Sequence, residues 1–277
     1  MKRWLSTFAV FAVCSAVVRA DVTLVQTMTV EGGMAAMTGQ SIAPKTTTRI
    51  KGLKARTDMD MPGVNMSMST IADLVAKQMI MLRHDQKTAQ VIIAPNASTT
   101  STTTAPPIGG TVKMDFSVTP TGKSQVIDGF KCDEFTFATT MNMSEVGGPN
   151  LPPEAVAAMK GMSIVMKGSM WVTKDTPGGA EYLAYNKALA SADIASAVAG
   201  MSGLNMPGLD SMTKAQASVN GLAYLTEMTM KIEGTGQMAE MMRQMGDMKI
   251  TSKTNSISVE TIAEDQFKVP DGYTIIK

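Results

Sequence analysis

The sequence predicts a mainly β fold of the α+β type: a strongly curved antiparallel sheet, an open half-barrel, with a few short helices on its concave side. Two observations carry that expectation. Strand-length runs in which polar and apolar residues alternate recur from Asp21 to Glu260, the pattern of a sheet with one face buried. Helical periodicity, by contrast, is confined to short stretches near residues 154–160, 183–199 and 237–245. With 277 residues and 44% hydrophobic content, the chain can bury a sizeable core.

The first twenty residues read as an export signal. Lys2 and Arg3 form a basic start, Leu5 to Val18 are mostly apolar, and Val18-Arg19-Ala20 has the small-residue pattern of a cleavage site. A single domain is therefore expected from 21 to 277, exported to a periplasmic or secreted location. Bulky Val13 before Cys14 argues against a lipid anchor at that cysteine. Beyond residue 20 no apolar run approaches the roughly 20 residues a membrane-spanning helix needs. The chain carries 25 Lys and Arg against 24 Asp and Glu, and setting aside Lys2, Arg3 and Arg19 makes the balance slightly acidic. No nucleic-acid footprint is expected on such a surface.

Taken in order, Asp21 to Val30 alternates, with Val22, Leu24, Met28 and Val30 on one face and threonines dominating the other. Lys45 to Ile50 and Lys54 to Met61 are shorter strands separated at Gly52. Ser69 to Leu74 leads into Gln78 to Leu82, and Thr88 to Ile93 follows across the polar tip Arg83-His84-Asp85-Gln86-Lys87, a hairpin. The Thr-rich stretch 97–110 has too little apolar surface to offset its ordering entropy and is expected to be a disordered loop. Thr111 to Thr119 alternates cleanly and is expected to end in a turn at Pro120-Thr121-Gly122.

The aromatic strand Val126 to Phe137 comes next, and Ile164 to Val172 is its expected antiparallel partner. Between them, Glu154 to Lys160 follows a Pro-led start and reads as a short helix. Tyr182 to Val198 is Ala-rich with helical spacing of Leu183, Leu189, Ile194 and Val198. Leu222 to Ile232 returns to alternation, with Leu222, Tyr224, Met228, Met230 and Ile232 expected on one face. A short helix at 237–245, a strand from Lys249 to Glu260 and an extended tail Phe267 to Tyr273 complete the chain.

Few residues suggest catalysis. Gly234-Thr235-Gly236-Gln237-Met238-Ala239 matches G-x-G-x-x-A and has Glu260 downstream, but the preceding strand alternates like an antiparallel one and too little chain remains for a nucleotide-binding sheet. It reads as a strand-to-helix turn. His84, the single histidine, rules out an imidazole metal cluster; no G-x-S-x-G elbow accompanies it, so no nucleophilic triad is expected and His84 reads as a solvated turn residue. Cys132 has no disulfide partner once Cys14 is set aside, and it reads as a buried, inert thiol. The protein is expected not to be an enzyme and to need no cofactor.

Methionine is the compositional anomaly, with 27 residues. Three uses compete: ordinary core filler, a polarizable lining for an apolar ligand, and a thioether site for soft Cu(I). Met228, Met230, Met238, Met241, Met242 and Met245, with Met166, Met170 and Trp171, are the candidate lining. The helical stripe Met238, Met241, Met242 and Met245 is the expected movable wall. Met59-x-Met61 and Met66-x-Met68 place thioethers on one strand face, but with one His and one Cys to strengthen them, no metal site is expected there.

Four segments carry a resemblance to a known family: Met81 to Thr88, Ile127 to Cys132, Trp171 to Asp175 and Phe267 to Tyr273. In them the chain resembles an uncharacterised domain-of-unknown-function family of exported bacterial proteins, placed near the periplasmic lipoprotein carriers LolA and LolB. The resemblance implies an open antiparallel half-barrel whose apolar concave face holds acyl chains beneath a helical lid. The functional expectation is a non-enzymatic binder of an apolar ligand, with lipid or lipoprotein acyl chains as partners and peripheral association with the cell envelope. The alternatives are a structural or interaction protein with a closed core, and a Met-rich Cu(I) module.

Overall fold

The computed structural model describes residues 21–32, 43–61, 66–93, 110–146, 161–191, 218–235, 237–244 and 246–276, with a few isolated positions between 154 and 215. The expected signal segment, residues 97–109 of the loop expected at 97–110, and most of the expected helix 154–160 lie outside those residues, whereas Gly110 already belongs to a strand. Among the described residues twelve strands form one open sheet: β1 (Val22–Glu31), β2 (Lys45–Lys51), β3 (Lys54–Met61), β4 (Met66–Asp73), β5 (Gln78–Arg83), β6 (Thr88–Ile93), β7 (Gly110–Ile127), β8 (Phe130–Val146), β9 (Ser163–Thr173), β10 (Leu222–Glu233), β11 (Met248–Ser258) and β12 (Thr274–Ile276). Their spatial order is β12-β6-β5-β4-β3-β2-β1-β11-β10-β9-β8-β7. The sheet does not close on itself, since β12 and β7 are its two edges. Among the described residues, helices α1 (Gly179–Ser191) and α2 (Gln237–Gln244) and a 3-10 turn at Glu264–Phe267 accompany the sheet.

Most of the architecture is an antiparallel meander, because each of β1 to β6 and β7 to β9 returns beside its predecessor. The two halves meet where β11 pairs with β1. The exception to antiparallel order is β12, which lies parallel to β6 with Thr274 opposite Thr88. The tail is therefore not simply extended. It makes the 3-10 turn, turns again at Asp271-Gly272, and only then adds its short strand at the sheet edge.

The strand boundaries differ from expectation most at β7 and β8. Pro120-Thr121-Gly122 does not turn the chain; β7 runs through it, with an irregular register between Pro120 and Ser124 and Gly122 at φ +79°. The reversal falls inside the expected strand Val126 to Phe137, where Asp128 and Gly129 take φ +48° and +88° between the paired Ile127 and Phe130. Two successive positive φ values define the tight turn whose twist matches a β-hairpin, and Asp-Gly is a preferred pair for it.

Helix α1 begins at Gly179, earlier than the expected 183, and residues 192–199 lie outside the described part. Its start is seated against β1: a Cβ on Gly178 would lie 2.4 Å from a methyl of Val22, and Gly178 has φ +67°. Tyr182, Tyr185, Ala188 and Leu189 pack onto Val22, Leu24, Ile50, Ala55 and Leu222. A second cluster of Ile71, Ile80, Leu82, Ala89, Ile262 and Phe267 joins β4, β5 and β6 to the C-terminal segment. Alternation along each strand puts these two clusters on opposite faces of the sheet, since Ile71 and Ala72 are neighbours on β4 and only Ala72 shares the face of Ala55.

Candidate functional site

The strand registers sort the methionines. Residues directly opposite in neighbouring strands share a face, so the pairings can be followed across the sheet from Met114 opposite Met141 to Met79 in β5. Every methionine placed by a register falls on the face that carries α1. Met166 lies opposite Met230, and Met230 opposite Met248. Met59 lies opposite Met68, and Met61 opposite Met66. The other face of β7 to β11 carries instead residues such as Asp115, Thr136, Lys167, Glu227 and Lys249.

Between α1 and this face is a cavity of ≈ 290 Å³. Phe116 and Phe137 come from β7 and β8, Met170 from β9, and Ala223, Thr226 and Met228 from β10; Leu183, Leu189, Tyr182 and Asn186 come from α1, with Val219 and Gly221 before β10. Phe116 and Phe137 stack with centroids 6.5 Å apart and planes at 29°. Gly168 lies directly across from Met228, and a Cβ there would come within 2.1 Å of the Glu227 carbonyl oxygen and 2.8 Å of the Met228 Cα. The glycine thus permits close approach of β9 and β10 at the cavity floor.

No charged side chain lines the cavity among the described residues. Burial pushes the Tyr182 hydroxyl above the ordinary tyrosine value despite its bond with Asn186, and burial pushes Tyr185 up to about 12. Both phenols therefore stay neutral at any ordinary pH. The chamber is a neutral, mostly apolar and aromatic space with a small polar group of Tyr182, Asn186 and Thr226, as small-ligand sites commonly are.

The candidate residues divide clearly. Met170 and Met228 line the cavity. Met166 and Met230 lie on the same face, in the row that runs through Thr139 to Phe116. Trp171 faces the other side, opposite Leu225 and Glu134, because adjacent residues of a strand cannot share a face. Met241 is 54% exposed, whereas Ala239 is fully buried, so α2 packs against β10 through Ala239 and Met241 forms no wall. Met245 and the side chains of Met238 and Met242 lie outside the described residues. Tyr224 also departs from expectation. An irregular register between Ala223 and Leu225 takes it out of step with Met228; its ring lies 5.3 Å from Phe130 and its hydroxyl donates to Asp128 at 3.1 Å. Sequence spacing missed Phe116, Phe137 and α1 as the cavity's walls, although their strand and helix were expected.

His84 is not a solvated turn residue. Its Nε2 lies 2.6 Å from the Ser69 hydroxyl, which donates to Asp58 at 2.5 Å and so accepts from the histidine. The Tyr273 hydroxyl meets the His84 Nδ1. Although Ser, His and Asp come together, Ser69 is only 1% exposed and gives its proton to Asp58 rather than to His84, so the group is a clasp on the C-terminal segment. Burial alone would raise the Asp58 carboxyl; hydrogen bonds from Ser69 and Arg56, the Arg56 charge and the bond from Arg49 outweigh it and hold Asp58 below the usual value. Cys132 is fully buried, and burial and the charges of Asp133 and Asp128 push its thiol up, which disfavours the thiolate.

Residues 31–147 match a family model described as Domain of unknown function (DUF4412). No curated protein matches the chain. Met81 to Thr88 and Ile127 to Cys132 fall within the matched residues, whereas Trp171 to Asp175 and Phe267 to Tyr273 lie beyond them. The matched stretch supplies β2 to β8, and hence Phe116 and Phe137; β9, β10 and α1 complete the cavity from outside it. Among the described residues no helix is long and apolar enough to cross a membrane.

Proposed function

We propose that the protein is a non-enzymatic, exported binder of an apolar ligand, an acyl chain or similar lipid, held between α1 and the methionine-bearing face. The single observation behind this reading is the neutral cavity of ≈ 290 Å³ walled by Phe116, Phe137, Met170, Met228, Leu183 and Leu189. A packed interior leaves few voids larger than a water molecule, and thioethers and aromatic rings adapt to ligands of varied shape. The resemblance to the lipoprotein carriers supports a half-barrel curved around α1, with the helix as its lid. Because Tyr182, Asn186 and Thr226 are the polar side chains of the described lining, the ligand's polar end is uncharged; a carboxylate or phosphate would be buried without a counter-charge.

The test is native mass spectrometry of protein taken from its own cell envelope without detergent, followed by thermal denaturation with a long-chain alcohol and the matching fatty acid. Co-purified lipid, and stabilisation by the alcohol that Leu183→Trp removes while circular dichroism stays unchanged, supports the reading. Absence of lipid together with no stabilisation by either probe overturns it and leaves a structural protein with a closed core.

A further inference from the structure

We propose a soft-metal site on the β3–β4 hairpin, formed by the thioethers of Met59, Met61, Met66 and Met68 and selective for Cu(I) or Ag(I). It is independent of lipid binding, and it departs from the expectation drawn from sequence, where the two M-x-M motifs could be placed on strands but not against each other. The register pairs them directly, Met59 with Met68 and Met61 with Met66, all on one face. Directly opposed Cβ atoms lie about 4.5–5.5 Å apart, and residues two apart on a strand are separated by about 7 Å. Four sulfurs on flexible side chains can converge from that rectangle onto one ion.

The surroundings fit a soft monovalent ion. Met66 is 39% exposed and the other three are half-buried, so an ion can enter from solvent while the sulfurs keep a partly apolar bed. Beneath the face, Ser67 donates to Asp60 at 2.9 Å and ties this end of the hairpin in register. Thr46 flanks Met59 on β2 and Arg83 flanks Met68 on β5, so among the described residues no carboxylate or imidazole is paired directly with the four across the strands. Arg83 has its guanidinium 3.9 Å from Asp85. A set of neutral thioethers offers nothing to Mg²⁺, Ca²⁺ or Zn²⁺ and suits Cu(I). The row Met166, Met230 and Met248 has the same side chains on the same face, but in a single line across three strands, and serves as the internal comparison.

Anaerobic titration of the mature chain with Cu(I) against a chromogenic chelator tests the site, with Ag(I) and [13C-methyl]methionine NMR as a second readout. One ion per chain is expected, with the four hairpin methyl signals shifted. Replacing all four by Leu should weaken binding by more than about tenfold, the scale on which metal sites respond to lost partners. Should that variant fail to fold, Met61→Leu and Met66→Leu at the exposed end give the same comparison. No competition with the chelator, or binding that survives these changes and is lost instead on Met166→Leu, Met230→Leu and Met248→Leu together or on Cys132→Ser, overturns the proposal.

Discussion

The two faces of the sheet are covered in different ways. Under the C-terminal segment, the face of β4 to β6 is filled by Ile71, Ile80, Leu82 and Ala89 against Ile262 and Phe267. Polar clamps hold that cover in place: Lys51 donates to the Ile262 carbonyl at 2.6 Å, Arg56 to the Gln266 carbonyl at 3.1 Å, and Asp21 accepts from the Ile262 amide at 2.7 Å. On the other face, among the described residues, α1 packs on the sheet through Tyr182, Tyr185, Ala188 and Leu189, and the cavity lies beside it. Branched aliphatics with fixed rotamers and charged clamps specify one closed arrangement, whereas methionine and aromatic side chains under a helix leave adaptable space.

Four substitutions test that contrast. The largest effect is expected at Leu82, which is fully buried in the closed cluster: Leu82→Ala should cost about 2–5 kcal/mol in urea unfolding. Met170→Ala, beside the existing cavity, should cost about 2 kcal/mol or less, because part of the surrounding contact is already missing. Equal losses would mean that both faces are equally tightly packed.

A smaller effect is expected at Asp58, which ties Arg49, Arg56 and Ser69 together on the clamped face. A carboxyl held below its unfolded value stabilises the fold above that value, about pH 4, and the contribution is lost as pH falls through the folded value. Asp58→Asn should therefore lower stability by about 1–3 kcal/mol at neutral pH. The gap from the unmodified protein should narrow as the medium is acidified below about pH 4. A gap that is constant with pH would remove the charge from the account.

The smallest effect belongs to the edge. Tyr273→Phe removes the bond to His84 and should cost about 0.5–1.5 kcal/mol. Hydrogen exchange is expected to speed up at Thr274, whose amide donates to the Lys87 carbonyl at 2.9 Å, without change in β1 or β10. Faster exchange throughout the sheet would show that the clasp supports the whole fold rather than its edge.

Alternation was enough to place most strands, because a period of two is written into any strand with one buried face. It located β1 to β6 and β9 to β11 to within a few residues, and it put Met228 on an apolar face, but Met170 and Trp171 were grouped together although neighbours on a strand face opposite ways. The Asp128-Gly129 reversal was also legible in principle, but the aromatic run around it resembled one continuous strand. What alternation could not supply was the partner of each strand. That Trp171 turns away from Met170 follows from the sequence alone; that Met59 meets Met68, that β12 runs parallel to β6, and that α1 leaves room above Phe137 do not. Those depend on register and on how a helix settles on a twisted surface, which are set by contacts between residues far apart in the chain. Alternation along the chain thus sets a β meander rich in thioethers, while long-range register and helix packing place the closed cover on one face and α1 with its cavity on the other.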